Sequence, residues 1–424
     1  MTPSSQTQCE ALLAEALQQY ETRNTKSLEY HNAALESLPG GNTRTLLHVS
    51  PFPIVMVRGE GSKLIDLDGH EYCDFVGELT AGLFGHSEPK IKASMSNVLA
   101  NIGLSLGATN IYEKQYSELL CARFNLESLR FSNSGTEANL HCIAAARKFT
   151  GKRKIVVFRG GYHGSLLSFS LGAAPNNAFE NNKGDIAAVL VEGMQGSGGA
   201  IPATTDFLRA IREHSRAASA LFILDEVMTS RLYGGGIAST FDHDLAPDMK
   251  TFGKYLGGGM PFGAFGGRRD VMAVYDPRMQ ESLAHSGTFQ NNTLMLNAGY
   301  TGLSEVFTHE VADAFHQRGE ALRAQLLEAV QGTRFTVTGL GTLMCIHATT
   351  NGLSRDQIQC KDDWTMVEDG DLKRLFWLEM LEARYWIHPR GSMALNLALT
   401  AADMDRFVGT VRDFCKRHQA MISK

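Results

Sequence analysis

The sequence predicts an α/β architecture, built on a mainly parallel sheet, with an α+β region at its C-terminal end. Three observations predict it. Apolar strand candidates occur at 154–158, 186–192, 221–227 and 249–253. Helical stretches lie between several of them, notably 135–149 and 204–217. Strands that are apolar along their whole length and alternate with helices form a parallel sheet buried on both faces. After about residue 300 the texture changes to a long helix followed by strands and helices in irregular order.

The elements follow in chain order. Residues 9–36 read as one amphipathic helix, with Leu12, Leu13, Ala16, Leu17 and Tyr20 near helical spacing. It stops at Pro39-Gly40-Gly41. A hairpin is expected at 62–66 and 72–75, around the turn pair Asp68-Gly69. Residues 88–125 read as mostly helical. The alternating strands and helices come next. Beyond them the pattern predicts strands near 334–347, a helix near 371–383, a short hairpin near 386–398 and a last helix from 402. The polar run 351–370 reads as a surface loop. The expected division is an N-terminal segment, 1–80, a large domain, 81–305, and a C-terminal small domain, 306–424.

The composition narrows the function. The chain has 424 residues, a net charge of −5, 43% hydrophobic and 20% charged residues, which is a globular profile rather than a disordered or fibrous one. A mild acidic excess cannot neutralise phosphates, so nucleic acid is not an expected partner. The apolar runs Ile186 to Val191 and Leu221 to Leu224 are too short to span a bilayer, so no membrane is expected either. Met1-Thr2-Pro3-Ser4-Ser5-Gln6 lacks the charged and apolar pattern of a secretory leader. Seven cysteines (9, 73, 121, 142, 345, 360, 415) without a CxxC pair predict neither disulfides nor a metal site. Buried free thiols in a reducing, cytoplasmic compartment are expected instead.

In an open α/β sheet, ligands bind at the carboxyl ends of the strands. Ser132-Asn133-Ser134-Gly135-Thr136-Glu137-Ala138 opens an Ala-rich helix. Small and hydroxyl residues there either cap the helix or, with the free amides, hold an anion such as phosphate. Asp225-Glu226 ends an apolar strand, where a carboxylate could bind metal, act as a base or hold a protonated ring nitrogen. Lys254 ends the next strand, beside Gly257-Gly258-Gly259. A lysine there is either a solvated charge or a buried nucleophilic amine. A carboxylate for a ring nitrogen and a Schiff-base lysine together are the binding signature of pyridoxal phosphate.

Here the chain resembles a known family. It is similar to the fold-type I, class III pyridoxal-phosphate aminotransferases, in the branch of glutamate-1-semialdehyde aminomutase and the β-amino-acid aminotransferases. The resemblance rests on motifs in the family's order: Asp66-Leu67-Asp68-Gly69 with Tyr72, Asp74 and Phe75; Gly85-His86 with Pro89; Ser134-Gly135-Thr136-Glu137-Ala138; Gly161-Tyr162-His163-Gly164; Asp225-Glu226-Val227-Met228; Phe252-Gly253-Lys254; and Gly287-Thr288-Phe289. It implies a large domain with a mixed, mainly parallel sheet and a smaller α+β domain drawn from the N- and C-terminal segments.

The resemblance also implies roles. Lys254 forms the Schiff base with pyridoxal 5'-phosphate and shuttles the substrate proton. Asp225 pairs with the pyridine nitrogen. Ser134, Gly135 and Thr136 hold the phosphate. Tyr162 stacks on the ring and Val227 packs on its other face. Thr288 reaches the phosphate of the second subunit, which implies a homodimer with shared active sites. Glu192 sits where the family keeps a glutamate near the active site.

The chain departs from the family at Gly193, where proline is common, and at Phe289-Gln290-Asn291-Asn292. Both departures fall where substrate recognition is expected and bear against a direct transfer of the aminomutase activity. The stretch Pro39-Gly40-Gly41-Asn42-Thr43-Arg44 resembles the N-terminal loop of the β-amino-acid aminotransferases. It implies either that Arg44 binds a substrate carboxylate or that it makes an interface salt bridge. His86, His163 and His285 read as structural hydrogen-bonding residues. Gly234-Gly235-Gly236 reads as a turn.

The expected function is transfer of an amino group from a β-amino acid or hydrophobic primary amine to a keto-acid acceptor, with no metal. The alternative is an intramolecular aminomutase. A non-catalytic cofactor-binding protein is disfavoured, because the lysine, the aspartate and the phosphate loop are all present.

Overall fold

Six strands form the central sheet of a computed structural model that describes residues 5–166 and 184–424. Met1 to Ser4, part of the leader reading, lie outside the described residues. The strands are β1 (Ser128–Ser132), β2 (Lys154–Val156), β3 (Ile186–Glu192), β4 (Leu221–Asp225), β5 (Met249–Gly253) and β6 (Gly263–Gly267). Their order is β1-β6-β5-β4-β3-β2. Strands β2 to β5 pair in parallel, and β6 runs antiparallel to both β5 and β1. This is the mixed, mainly parallel sheet the sequence predicts. β3, β4 and β5 are buried at every position, including Lys250 and Thr251 in the middle of β5.

The chain divides into two units. One comprises Thr80–Phe84 and Glu88–Gln317, and contains the six-stranded sheet. Helix Gly135–Thr150 buries Ala138, Cys142, Ile143, Ala145 and Ala146 in a core shared with Ala188, Leu190, Ile223 and Phe265 from the sheet.

The other unit comprises Met1–Leu79, Gly85–Ser87 and Arg318–Lys424, so the terminal segments build one α+β body. Its strands Met56–Glu60, Lys63–Asp66 and Glu71–Asp74 pair antiparallel, and Tyr385–Trp386 joins them in parallel. Phe335–Leu340, Leu343–Ala348 and Ser392–Ala394 form a second, antiparallel sheet. The last change of unit falls inside helix His309–Ala329, at 317/318, whereas the sequence suggests 305/306.

Four local expectations change. The N-terminal helix is two, Ser5–Arg23 and Thr25–Ala34, broken at Asn24, whose φ of −118° and ψ of 44° are not helical. The segment 386–398 is not a hairpin, because Tyr385–Trp386 and Ser392–Ala394 belong to different sheets. The run 351–370 includes a short helix, Lys361–Thr365, whose Trp364 is buried. Strands β1 and β6 have no counterpart in the sequence reading. The seven cysteines are free thiols, five of them buried. Among the described residues, no helix is long and apolar enough to cross a membrane.

Candidate active site

Strand register lines up one edge of the sheet. Glu192 pairs with Asp225, Asp225 with Thr251, Gly253 with Gly263, and Gly263 with Ser132. The carboxyl ends of β3, β4, β5 and β1 therefore share one edge, and the polar residues of the motifs lie on it or just beyond it.

Asp225 is the last residue of β4 and is 4% exposed. Its Oδ2 accepts from Asn139 Nδ2 at 2.8 Å and from His163 Nδ1 at 2.8 Å, while Oδ1 accepts the Val227 N–H at 3.0 Å. Asn139 is fixed in turn, since its Oδ1 accepts from the Thr251 hydroxyl at 2.8 Å and its Nδ2 also reaches the His163 carbonyl at 3.1 Å. Burial pulls the His163 pKa down, but the hydrogen bond and charge of Asp225, with the charge of Glu192, outweigh it and raise the pKa overall. The imidazole thus faces the Asp225 carboxylate through Nδ1 and fixes its orientation.

Glu192 is 5% exposed. Its Oε2 accepts the Tyr162 N–H at 3.0 Å and its Oε1 the Gly196 N–H at 3.2 Å. Burial pushes its pKa up to about 7, with nearby Asp225 adding to the rise and His163 and the two backbone donors opposing it. The neighbouring carboxylate, Glu226, turns away from this cluster and accepts the N–H groups of Ile237 and Ala238.

Helix Gly135–Thr150 begins on the same edge. Ser134 caps it, its hydroxyl accepting the Glu137 N–H at 3.2 Å. The amides of Gly135 and Thr136, in the first turn, have no acceptor within the helix. Glycines hold the walls close here. A Cβ on Gly135 would lie 2.7 Å from Val227 Cγ2, and one on Gly164 2.4 Å from Thr136 Oγ1.

Lys254 follows β5 directly and has a left-handed backbone, φ 60°. That is uncommon for a residue with a Cβ, and such strain gathers at functional sites. It is half-buried, and the next residue, Tyr255, is anchored in the core through its hydroxyl, which donates to the Ser230 carbonyl at 3.0 Å.

One unit thus brings Ser134, Gly135, Thr136, Tyr162, Glu192, Asp225, Val227 and Lys254 to one sheet edge. Tyr162 is exposed. Thr288 belongs to the same unit but lies exposed in a turn, and among the described residues no hydrogen bond joins it to the others. Arg44 lies in the other unit, where its guanidinium pairs with Glu78.

The reading of the histidines changes at one position. His86 pairs with Asp74 at 2.9 Å, and His285 lies 3.5 Å from Arg130 among aromatic rings, as structural roles require. His163 instead touches Asp225 itself. Sequence reasoning also missed Asn139, although a position one helical turn after Gly135 carries the signal.

A planar ring with a phosphate arm, the group the resemblance implies, fits these residues. The unpaired amides of a capped helix suit a dianion. The Gly135–Val227 approach leaves a flat wall. Asp225 still has lone pairs for a ring N–H, because among the described residues its Oδ1 accepts only the Val227 N–H.

Comparison with known proteins gives the same direction. The family model described as aminotransferase class-III matches residues 47–178 and 170–364. An uncharacterized aminotransferase of Schizosaccharomyces pombe is 47% identical over 423 residues, 95% of each chain. The β-phenylalanine transaminase of Variovorax paradoxus is 43% identical, over 97% of this chain and 98% of its own. The crystal structure of the β-phenylalanine aminotransferase from the same organism superposes with a TM-score of 0.92 at 42% identity, covering 98% of this chain and 99% of that one. A glutamate-1-semialdehyde 2,1-aminomutase of Caldicellulosiruptor bescii is 29% identical, over 93% of this chain and 99% of its own.

Proposed function

The chain belongs to the class-III aminotransferases, which use pyridoxal phosphate, and from that premise we propose how its residues divide the work and what it acts on. The donor is a β-amino acid or a hydrophobic primary amine, and the acceptor is a keto acid. The observation that carries the site assignment is the sheet edge itself, where Asp225, the first turn of helix Gly135–Thr150 and the strained Lys254 stand at or just beyond the carboxyl ends of β4, β1 and β5.

Lys254 anchors the cofactor covalently through its amine. Ser134, Gly135 and Thr136 bind the phosphate through hydroxyls and free amides. Tyr162 covers one face of the ring and Val227 the other. When bound, the cofactor supplies a protonated ring that takes up the electron pair released as the donor's C–H bond breaks. Asp225 would keep that ring protonated, and Asn139 and His163 hold Asp225 aimed. Glu192 fixes the backbone of Tyr162. Once the donor amine has taken its place, Lys254 would act as a base, removing the proton from the amine-bearing carbon and carrying it to the side where the amino group is retained, after which water releases the oxidised donor. The donor leaves as a ketone or keto acid, and the acceptor leaves as an amine.

Arg44 pairs with the donor's carboxylate, a charge-assisted contact its planar fork suits. The enzyme works as a homodimer, with Thr288 of each copy completing the other's phosphate site. Supporting this, Leu104, Leu106, Ile111 and Phe289 are exposed around Thr288's segment. Asn110 and Asn291 tie the two stretches together, each donating its side-chain amide to a carbonyl of the other stretch. We place the enzyme in the cytoplasm, in keeping with its free cysteines.

The test is a panel of β-amino acids, aryl-alkyl amines and α-amino acids, mixed with the holoenzyme without acceptor and followed by the cofactor's absorbance. Rapid conversion by β-amino acids or hydrophobic amines, with turnover only when a keto acid is added, is expected. Turnover of a single substrate with no external keto acid would establish the aminomutase alternative.

A further inference from the structure

The chain leaves strand Glu71–Asp74 through an unusual stretch of backbone. Gly77, Glu78, Leu79 and Thr80 lie in succession in the left-handed region, at φ 51°, 48°, 52° and 83°. Only the first is a glycine. Residues with a Cβ avoid this region because the Cβ crowds the following carbonyl. A run of three persists only where the surroundings fix the backbone.

The fixing groups lie on the N-terminal side of the run. Asp74 Oδ1 accepts the N–H groups of Val76 at 2.8 Å and Gly77 at 3.0 Å. Asp74 Oδ2 is held by His86 Nε2 at 2.9 Å, and the Asp74 carbonyl by Asn396 Nδ2 at 3.0 Å. A Cβ on Gly77 would lie 2.4 Å from the Ala394 carbonyl oxygen, so the turn cannot relax in that direction.

The charged side chain that this turn aims is Glu78. Its carboxylate pairs with Arg44 Nη1. Arg44 itself stands directly after an extended segment, with φ −104° and ψ 108°, at the start of the turn Thr45–Leu47. The two side chains are 46% and 59% exposed, so the pair is open to a competing anion.

We propose that Glu78 sets the enzyme's preference between carboxylated and uncharged donors, as the resident counter-ion of Arg44. The proposal rests on the reading of Arg44 given above. A bidentate contact needs two N–H groups of the guanidinium fork, and Glu78 holds one of its terminal nitrogens. An arriving carboxylate must displace Glu78 or share the fork with it, and meets its negative charge on the way. A donor without a carboxylate leaves the pair intact and meets no such cost. Glu78 thus weakens the enzyme's hold on carboxylated donors and moderates the advantage that Arg44 confers on them.

The experiment uses the dimeric holoenzyme and the donor half-reaction alone. KM is measured for a β-amino acid and for the same amine lacking its carboxylate, in wild type, Glu78→Gln, Arg44→Ala and the double variant. The ratio of the two KM values is the quantity read. Glu78→Gln is expected to lower that ratio by about two- to fivefold, the span of an exposed ion pair. Glu78→Ala should move it the same way, and neither change should act in the Arg44→Ala background. An Arg44→Ala enzyme with a raised ratio, beside a Glu78→Gln enzyme with an unchanged or raised one, overturns the role of Glu78 and leaves that of Arg44 standing. A lowering by Glu78→Gln that survives in the double variant assigns the effect to general charge and overturns the proposal too. An unchanged ratio in Arg44→Ala overturns the reading of Arg44, and the role of Glu78 falls with it.

Discussion

Two adjacent carboxylates meet opposite fates, and the difference decides the chemistry. Asp225 is held by Asn139, His163 and the Val227 amide, and Glu226 by the Ile237 and Ala238 amides on the other side of the chain. A strand end sends successive side chains to opposite faces, so only one of the pair can serve the site. Asp225→Asn should therefore lower the half-reaction rate by about a hundredfold or more while leaving cofactor affinity within about tenfold, since an amide cannot keep a ring nitrogen protonated. Stopped-flow half-reactions and a cofactor titration measure the two effects separately. Lys254→Ala should lose a nucleophile and a base together, with turnover falling at least about a hundredfold. Mass spectrometry after borohydride reduction should find the cofactor on Lys254 in the wild type and on no lysine in the variant.

Glu192 gives a pH dependence at the same scale. Its folded-state pKa of about 7 lies above its ordinary value of 4.5, so the folded state binds the extra proton. Its contribution to stability is complete below about pH 4.5 and lost as pH rises through 7. A shift of that size corresponds to roughly 3 kcal/mol. Urea midpoints of wild type and Glu192→Gln, compared at pH 5, 6 and 7, should show the wild type falling relative to the variant as pH rises, because only the wild type carries this loss. Parallel midpoints would show that Glu192 titrates normally. Lys254 and Asp225 are legible in the sequence because each ends an apolar strand, where a charge stands out. Asn139 and His163 are not, because their importance lies in which oxygen they touch.

Strand β6 shows why an element can be illegible. Its sequence, Gly263-Ala264-Phe265-Gly266-Gly267, has three glycines, and glycine is a poor strand former. Yet β6 joins β1 to β5, and its small residues admit neighbours that a side chain would push away. A Cβ on Gly263 would lie 2.2 Å from the Ser134 carbonyl and 2.4 Å from the Ser132 hydroxyl. Gly263→Ala should thus push on the helix N-terminus and destabilise the protein by about 1–3 kcal/mol, the usual cost of overpacking. Cofactor affinity should fall with it. Thermal denaturation and a cofactor titration check both, and a variant with wild-type affinity would detach β6 from the phosphate site. Of the four strands read from the sequence, β3 and β4 carry apolar runs along nearly their whole length, a signal that local pattern supplies. The misread hairpin at 386–398 failed for the opposite reason. Its two strands pair with segments far away in sequence, Glu71–Asp74 and Leu343–Ala348, and no local signal specifies such partners.

At the scale of the whole molecule, the terminal segments build a single body although 230 residues or more of chain separate them in sequence. The sequence reading reached that arrangement through the family resemblance, not through composition or periodicity. The proposed homodimer would tie activity to assembly. Ile111 is among the exposed apolar residues beside the segment of Thr288. Ile111→Glu should weaken association by placing a charge in an apolar contact. Cofactor should be lost in step with dissociation on dilution, as followed by light scattering and the bound cofactor's absorbance. A monomer that keeps its cofactor would remove Thr288 from the site.

The order of donors around Asp225 has one more consequence. The Thr251 hydroxyl donates to Asn139, Asn139 donates to Asp225, and His163 donates to the same oxygen. Every dipole in this chain points toward the carboxylate, and every member is buried. The field that stabilises the Asp225 carboxylate is therefore frozen in place before any ligand arrives. Water would have to reorient to supply the same stabilisation, and that reorientation is a large part of the barrier in solution. Here the reorganisation was completed when the chain folded.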